Sequence, residues 1–203
     1  MEFVIPTMWR KPAFTLDALE YYLSIEKVKK IIIIDNDFKR RPDSEILKSK
    51  KIKILNYGRN IYVNAAWNKG MENVSDDLVC ICNDDIRLDK LAISLVLEFE
   101  SINPDAVDLI GLSNDAKNKC FGISPFKLDL SKNLGLQSGG LFGTAMFIRK
   151  KNYKEIPSDL KVWFGDDYLV RNCKNIFTIT PINFIGGCGS TNTAIRKEGG
   201  PID

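Results

Sequence analysis

Two adjacent carboxylates, Asp84 and Asp85, follow Asn83 directly after the apolar run Leu78–Cys82. Neighbouring carboxylates disfavour one another's ionisation, so the pair calls for a counter-charge. A divalent cation bridging to phosphate oxygens supplies one, because Mg²⁺ commonly takes one or two carboxylates and completes its shell with substrate phosphates and water. The alternative is a polar strand-to-helix turn in which an Asp caps the helix. A second acidic pair, Gly165-Asp166-Asp167, is flanked by Trp163, Phe164 and Tyr168. Aromatic faces can hold a sugar ring, and desolvation beside them raises a carboxyl pKa toward that of a useful general base. Acids are equally at home at a helix N-terminus, where the backbone dipole favours them. Asp35 ends the isoleucine run Lys30–Asp35, where it could bind a ribose hydroxyl or a base imide, or simply terminate a strand in a turn. Asn64, Trp67 and Asn68 share a helix face through their spacing. They could contact a nucleotide, or Trp67 could be core with both asparagines exposed.

The composition removes several chemistries. The chain has 203 residues and no histidine, which excludes an imidazole base, a Ser-His-Asp triad and histidine-ligated zinc. Five cysteines, an odd count with no CxxC pair, read as reduced thiols in a cytosol-like compartment. Cys80 and Cys82 share one strand face and suit small buried hydrophobes. A net charge of +3 is mild for a protein that binds duplex DNA by phosphate neutralisation. The opening MEFVIPTMWRKP lacks the pattern of a signal peptide, and no run is long enough for a membrane span. The expected setting is the cytoplasm, or the host cytoplasm for a viral protein.

These residues need a scaffold that brings strand ends together. Short apolar runs at Phe3–Pro6, Lys30–Asp35, Ile52–Tyr57 and Leu78–Cys82 predict strands. Helical patterns separate them at Leu16–Val28 and Asn60–Asn73, the latter with Ile61, Ala65, Asn68 and Met71 on one face. A short helix around Ser44–Leu47 fits the charged connection Asp37–Lys51. This cadence predicts a mainly parallel α/β sheet with helices on both faces, in which Pro6-Thr7, Asp35-Asn36 and Asn83-Asp84-Asp85 fall along one edge. A helix over Leu88–Glu100 follows the acidic cluster directly. Further on, strands are expected at Val107–Leu112, Leu141–Arg149 and Ile176–Thr180. Hairpins are expected around Lys127–Leu130, a turn at Ser138-Gly139-Gly140, and short helices over Asn152–Ile156 and from Asp167 through Lys174. The tail Gly186–Asp203 reads as a mobile loop. No linker or repeat interrupts the chain, so residues 1–203 form one expected domain, 1–87 as its nucleotide-binding half and 88–203 as its acceptor half.

In order and spacing these pieces resemble the GT-A glycosyltransferases, particularly the inverting family-2-like enzymes. The resemblance runs from FVIPTMWR through IIIID, NIYVNAAWNKGMENVSDDLVCICNDD, GGLFGTAMFIRKKNY and WFGDDYLVRNCK to the GSTNT segment. It implies a Rossmann-like half holding a nucleotide-diphosphate sugar, foremost a UDP-sugar, through Pro6, Thr7, Asp35, Asn64 and Asn68. It implies that Asp85 ligates Mn²⁺ or Mg²⁺, with Asp84 supporting the ribose or the metal. Asp167 becomes the general base toward an acceptor hydroxyl, and Asp166 orients the acceptor or the base. Two departures stand out. Asn83 occupies a position often acidic in the family, and a late histidine is absent near Gly187 and Cys188. Metal binding then rests on Asp85, diphosphate and water, with Gly186–Arg196 expected to order over the diphosphate. A glycan is the expected acceptor, and a hydroxymethylated DNA base an alternative. The rival functions are a nucleotidyltransferase, disfavoured because PTMWRKP contains no glycine, and a non-catalytic sugar-nucleotide-binding module.

Overall fold

The computed structural model describes residues 1–113, 122–126, 139–180 and 184–186. In chain order its elements are β1 (Glu2–Thr7), α1 (Pro12–Leu23), β2 (Lys30–Asp35), β3 (Ile52–Asn56), α2 (Val63–Glu72), β4 (Leu78–Cys82), β5 (Ile86–Leu88) and α3 (Lys90–Ile102). There follow β6 (Leu109–Leu112), β7 (Gly122–Pro125), α4 (Gly139–Phe142), β8 (Ala145–Arg149), α5 (Gly165–Asn172), β9 (Ile176–Thr180) and β10 (Phe184–Gly186). Eight strands form one sheet in the order β3-β2-β1-β4-β8-β6-β9-β7, while β5 and β10 pair separately. The β3-β2-β1-β4 block is parallel throughout. β8 runs antiparallel to both β4 and β6, β9 is parallel to β6, and β7 antiparallel to β9. Six strands therefore share one direction, and only β8 and β7 oppose it.

The period-2 alternation of the strands divides the core in two. Phe3, Ile5, Ile31, Ile33, Cys80 and Cys82 pack with Leu19 and Tyr22 of α1 and Ile93 and Val96 of α3. Val4, Ile32, Ile34, Val79 and Ile81 pack on the other face with Trp67 and Met71 of α2, Phe142 of α4 and Leu169 of α5. Runs that are apolar at every position thus meet helices on both sides, as a buried parallel sheet requires. α2 lies close on β1 because Gly70 faces Val4, where a Cβ would overlap the valine side chain.

Several elements depart from the sequence-based expectation. The acidic turn does not lead straight into a helix. β5 intervenes, and the cap of α3 is Asp89, whose Oδ1 accepts from Ala92 N at 2.7 Å. Neither Asp84 nor Asp85 is that cap. The buried side of α2 is Ala66, Trp67, Gly70 and Met71 rather than Ile61 and Ala65, since Ile61 precedes the helix. Ser138-Gly139-Gly140 does not feed directly into a strand: Gly139–Phe142 is a helical turn and β8 starts at Ala145. The helix expected over Asn152–Ile156 is only a 3₁₀ turn at Lys150–Asn152, because Asn68 captures the backbone of Ile156. Two 3₁₀ turns, Phe38–Arg40 and Glu45–Lys48, occupy the charged connection, and Ser44 caps the second. The hairpins expected around Lys127–Leu130 and the tail beyond Gly186 lie outside the described residues. Among those described, no helix is long and apolar enough to cross a membrane.

Candidate active site

The strand order changes direction at β1, with β2 and β3 on one side and β4 on the other. In open α/β sheets the crevice at the carboxyl ends of strands flanking such a switch point receives ligands. β1 and β4 are in register from Glu2/Val79 to Val4/Ile81, and pairing stops before Pro6, which has no N–H to give. The side chains take over there. Thr7 Oγ1 donates to Asp84 Oδ2 at 2.5 Å. On the other side Thr7 is the register partner of Asp35. Trp9 links both acids: its backbone N–H donates to Thr7 Oγ1 at 2.9 Å and its indole N–H to Asp35 Oδ1 at 2.9 Å.

Asp35 is buried, and its Oδ2 has no hydrogen-bond donor; the Arg41 guanidinium stands 3.4 Å away. A buried carboxylate oxygen without a donor is costly unless a ligand supplies one. Asp84 has its pKa raised to about 6, chiefly by burial, with the adjacent Asp85 charge reinforcing the rise and the Thr7 hydrogen bond opposing it. Asp85 is 8 % exposed.

α1 holds this acidic turn from behind. Thr15 Oγ1 donates to Asp84 O at 3.2 Å, and the buried Tyr22 hydroxyl donates to Ile86 O and accepts from Leu88 N, both at 3.0 Å. Asp17 pairs with Arg87 at 2.6 Å, and Tyr21 Oη accepts from Lys90 N at 2.8 Å. On the open side Gly186 of β10 pairs with Ile86, one residue from Asp85.

The second acidic pair reaches the same edge through β8. Asn83 N donates to Thr144 O at 2.9 Å, and Gly143, just before Thr144, packs against the Asp166 side chain so closely that a Cβ would meet its carboxylate. Asp166 and Asp167 lie in the first turn of α5, with Asp167 buried at 2 % exposure. Of the sequence-derived residues, Pro6, Thr7, Asp35, Asp84 and Asp85 thus gather at adjoining strand ends, and Asp166 approaches that edge from α5 through Gly143, with Asp167 next to it in the first turn of the helix.

Asn64 and Asn68 take a different part. Asn64 is fully buried, and its Nδ2 donates to Leu160 O and Trp163 O at 2.9 and 3.2 Å. Asn68 Nδ2 donates to Ile156 O at 2.8 Å, while its Oδ1 accepts from Tyr153 Oη at 2.7 Å and Ile156 N at 3.0 Å. Both amides tether α2 to the 156–163 segment, and Asn68 also lines an open surface cavity with Met71, Glu72, Lys150, Tyr153 and Glu155. Gly165 seats against Asn64 and Trp67, where a Cβ would overlap the amide. Sequence reasoning did not find Trp9, Thr15 or Tyr22. Nothing local in the sequence identified the hydrogen bonds of Trp9 or of α1.

Among the described residues no group of three or more Cys, Asp or Glu side chains converges as a complete metal cage. Asp84 and Asp85 are nonetheless a hard oxygen pair at a ligand-binding edge. They fit Mn²⁺ or Mg²⁺ held jointly with diphosphate oxygens and water, the usual mode for a cation with few protein ligands.

Comparison with known proteins gives the family and the fold. The model of glycosyl transferase family 2 matches residues 3–156. No curated protein matches the chain. Among solved structures, S. aureus TarS 1–349 superposes with a TM-score of 0.61 at 13% identity, covering 88% of this chain and 57% of TarS 1–349. HddC from Yersinia pseudotuberculosis gives 0.59 at 13% identity, covering 97% of this chain and 98% of HddC. The mannosyltransferase PcManGT from Pyrobaculum calidifontis, in complex with GDP-Man and Mn²⁺, gives 0.62 at 9% identity, covering 89% of this chain and 54% of that one. At these identities the structural likeness concerns the fold, and the chain spans little more than half the length of TarS 1–349 and PcManGT.

Proposed function

The chain belongs to glycosyl transferase family 2 and has the GT-A fold, and on that premise we propose that it transfers a sugar from a nucleotide-diphosphate sugar to an acceptor hydroxyl with inversion, aided by Mn²⁺ or Mg²⁺. The observation that carries the reading is the junction of Thr7, Asp35 and Asp84 at the β1/β4 switch point, with Asp166 packed against Gly143 in the turn before β8.

In this reading the donor nucleotide lies across the carboxyl ends of β1, β2 and β4. Asp35, fixed through Oδ1 by Trp9, offers Oδ2 to a base or ribose donor group. Asp84 and Asp85 would hold the cation, whose charge would offset the negative charge developing on the leaving diphosphate. Asp167 accepts the proton of the attacking hydroxyl, and Asp166 orients that hydroxyl or the base. A proton-accepting carboxylate needs no imidazole, in keeping with a chain that contains none.

A UDP-sugar is the proposed donor and a glycan the proposed acceptor. The test is a melting-temperature screen of UDP-, GDP- and dTDP-sugars with and without Mn²⁺, since a ligand that binds the native state raises its melting point. A metal-dependent rise with one nucleotide class, weakened in Asp85→Ala, is the expected outcome. Identical melting curves in every condition would remove the assignment.

A further inference from the structure

Among the described residues, the non-glycine positions with left-handed backbone are Trp9 (φ 53°), Tyr62 (φ 65°) and Phe164 (φ 63°). All three are aromatic, and each follows a strand end or opens a helix at the edge where the acids gather. Bulky residues in this region carry roughly 1–3 kcal/mol of strain, and such strain concentrates at ligand sites. Trp9 recovers it through burial and two hydrogen bonds. Tyr62, whose N–H donates to Asn60 Oδ1 at 2.8 Å, and Phe164 keep their side chains out of the core: they are 43 % and 40 % exposed, and their rings contact no other ring among the described residues. Ile61 and Val63, on either side of Tyr62, pack against the core and leave Tyr62 outside it.

The two exposed rings belong to one local structure. Asn64, two residues after Tyr62, bonds Leu160 O and Trp163 O through its side chain and Lys161 O through its backbone. Trp163 immediately precedes Phe164, and Gly165 seats on Asn64. The same tether therefore fixes the openings of α2 and α5 against each other, with an exposed aromatic at each. Phe164 also stands three residues before Asp167.

We propose that Tyr62 and Phe164 form an aromatic platform that receives the apolar C–H face of a pyranose ring in the acceptor, and so select a carbohydrate acceptor for this site. The inference rests on the glycosyl-transfer reading with its glycan acceptor and adds the side chains that recognise that acceptor. An aromatic ring offers a flat, rigid apolar area at small entropic cost, while the sugar hydroxyls around the stacked face remain free for polar groups. Placement beside Asp167 brings a hydroxyl of the stacked ring, or of the sugar next to it, toward the proposed base. A nucleobase is the other flat ligand of such an enzyme, but the acids proposed to meet the nucleotide, Asp35 and Asp84, are joined through Thr7 and Trp9 on β1, β2 and β4.

The test is binding to an immobilised array of bacterial, plant and animal oligosaccharides, with Mn²⁺ and each of UDP, GDP and dTDP present. Kd for the free nucleotides is measured in the same samples. The wild-type protein should retain a defined subset of glycans. Tyr62→Ala and Phe164→Ala should each weaken that retention at least about fivefold, with nucleotide Kd changed less than twofold. Tyr62→Phe and Phe164→Trp, which keep a ring, should bind as wild type. Phe164→Gly suits the left-handed backbone and serves as the truncation if Phe164→Ala fails to fold. Absence of glycan retention by wild type, equal retention by the truncated variants, or loss of nucleotide affinity in parallel with glycan would each overturn the platform. Normal nucleotide binding in those cases leaves the glycosyl-transfer reading standing, whereas a wild type that binds no nucleotide removes that reading itself.

Discussion

Asp167 carries the most exposed assignment at the scale of single residues. It is buried in the first turn of α5, and Asp167→Asn preserves its size while removing its capacity to take a proton. Transfer should fall about 10²–10⁴-fold with donor affinity nearly unchanged; near-normal transfer by a folded variant would shift the role to Asp166. Asp84 makes a separate prediction about pH. Its folded pKa of about 6 lies above the ordinary carboxylate value, so between about pH 4 and pH 6 the native state binds more protons than the unfolded chain. Stability of the metal-free protein then declines as pH rises through that window, by on the order of 2–3 kcal/mol, and levels off above it. Asp84→Asn removes the burden. In metal-free buffer at pH 7.5 its melting temperature should exceed that of wild type, while its gain from Mn²⁺ and nucleotide diphosphate shrinks. A lower melting temperature in the variant would mean that the ionised carboxylate stabilises this edge.

At the scale of elements, the strands were legible wherever both faces are buried. Lys30–Asp35 and Leu78–Cys82 have the bounds read from their apolar runs, because a run flanked on both faces by helices admits little besides hydrophobes. The acids were legible for the complementary reason: charge at the end of such a run must sit at the sheet edge. Elements fixed by distant hydrogen bonds were not legible. The segment from Tyr153 to Ile156 yields its backbone to Asn68, 88 residues earlier in the chain, and Tyr22 shapes β5 from a separate helix. Two element-level predictions follow from close packing and backbone strain. Gly70→Ala would drive a methyl into Val4 at the α2/β1 contact and should destabilise by about 1–3 kcal/mol, seen as a lower denaturant midpoint with unchanged slope. Phe164→Gly should be more stable than Phe164→Ala by about 1 kcal/mol, because only glycine adopts this backbone freely. Equal midpoints would show that the helix opening relaxes out of the left-handed region in the alanine variant.

The whole molecule couples its two halves at several places, among them the β4/β8 pairing and the Asn68 tether. The nucleotide half ends with β4, which pairs along its full length with β8 of the acceptor half, from Leu78/Arg149 to Cys82/Ala145. On the α2 face, Asn68 spans the same division with three hydrogen bonds to Tyr153 and Ile156. We propose from this that residues 1–203 act as one domain and unfold in one step. Asn68→Leu would leave the Ile156 N–H and carbonyl and the Tyr153 hydroxyl without their present partner. Such unsatisfied groups cost roughly 1–3 kcal/mol each when buried, reduced here by partial access to water, so a loss of about 2–4 kcal/mol is expected. For a chain of this size that corresponds to a fall in melting temperature of roughly 4–16 °C. The transition should stay single when followed by calorimetry and by tryptophan fluorescence, since the sheet still joins the halves. Nucleotide affinity should hold at temperatures where the variant is folded, because its amide is occupied by the protein backbone. Two resolved transitions would mean that the halves are separate folding units, and a selective loss of nucleotide affinity in a stable variant would return Asn68 to the donor site.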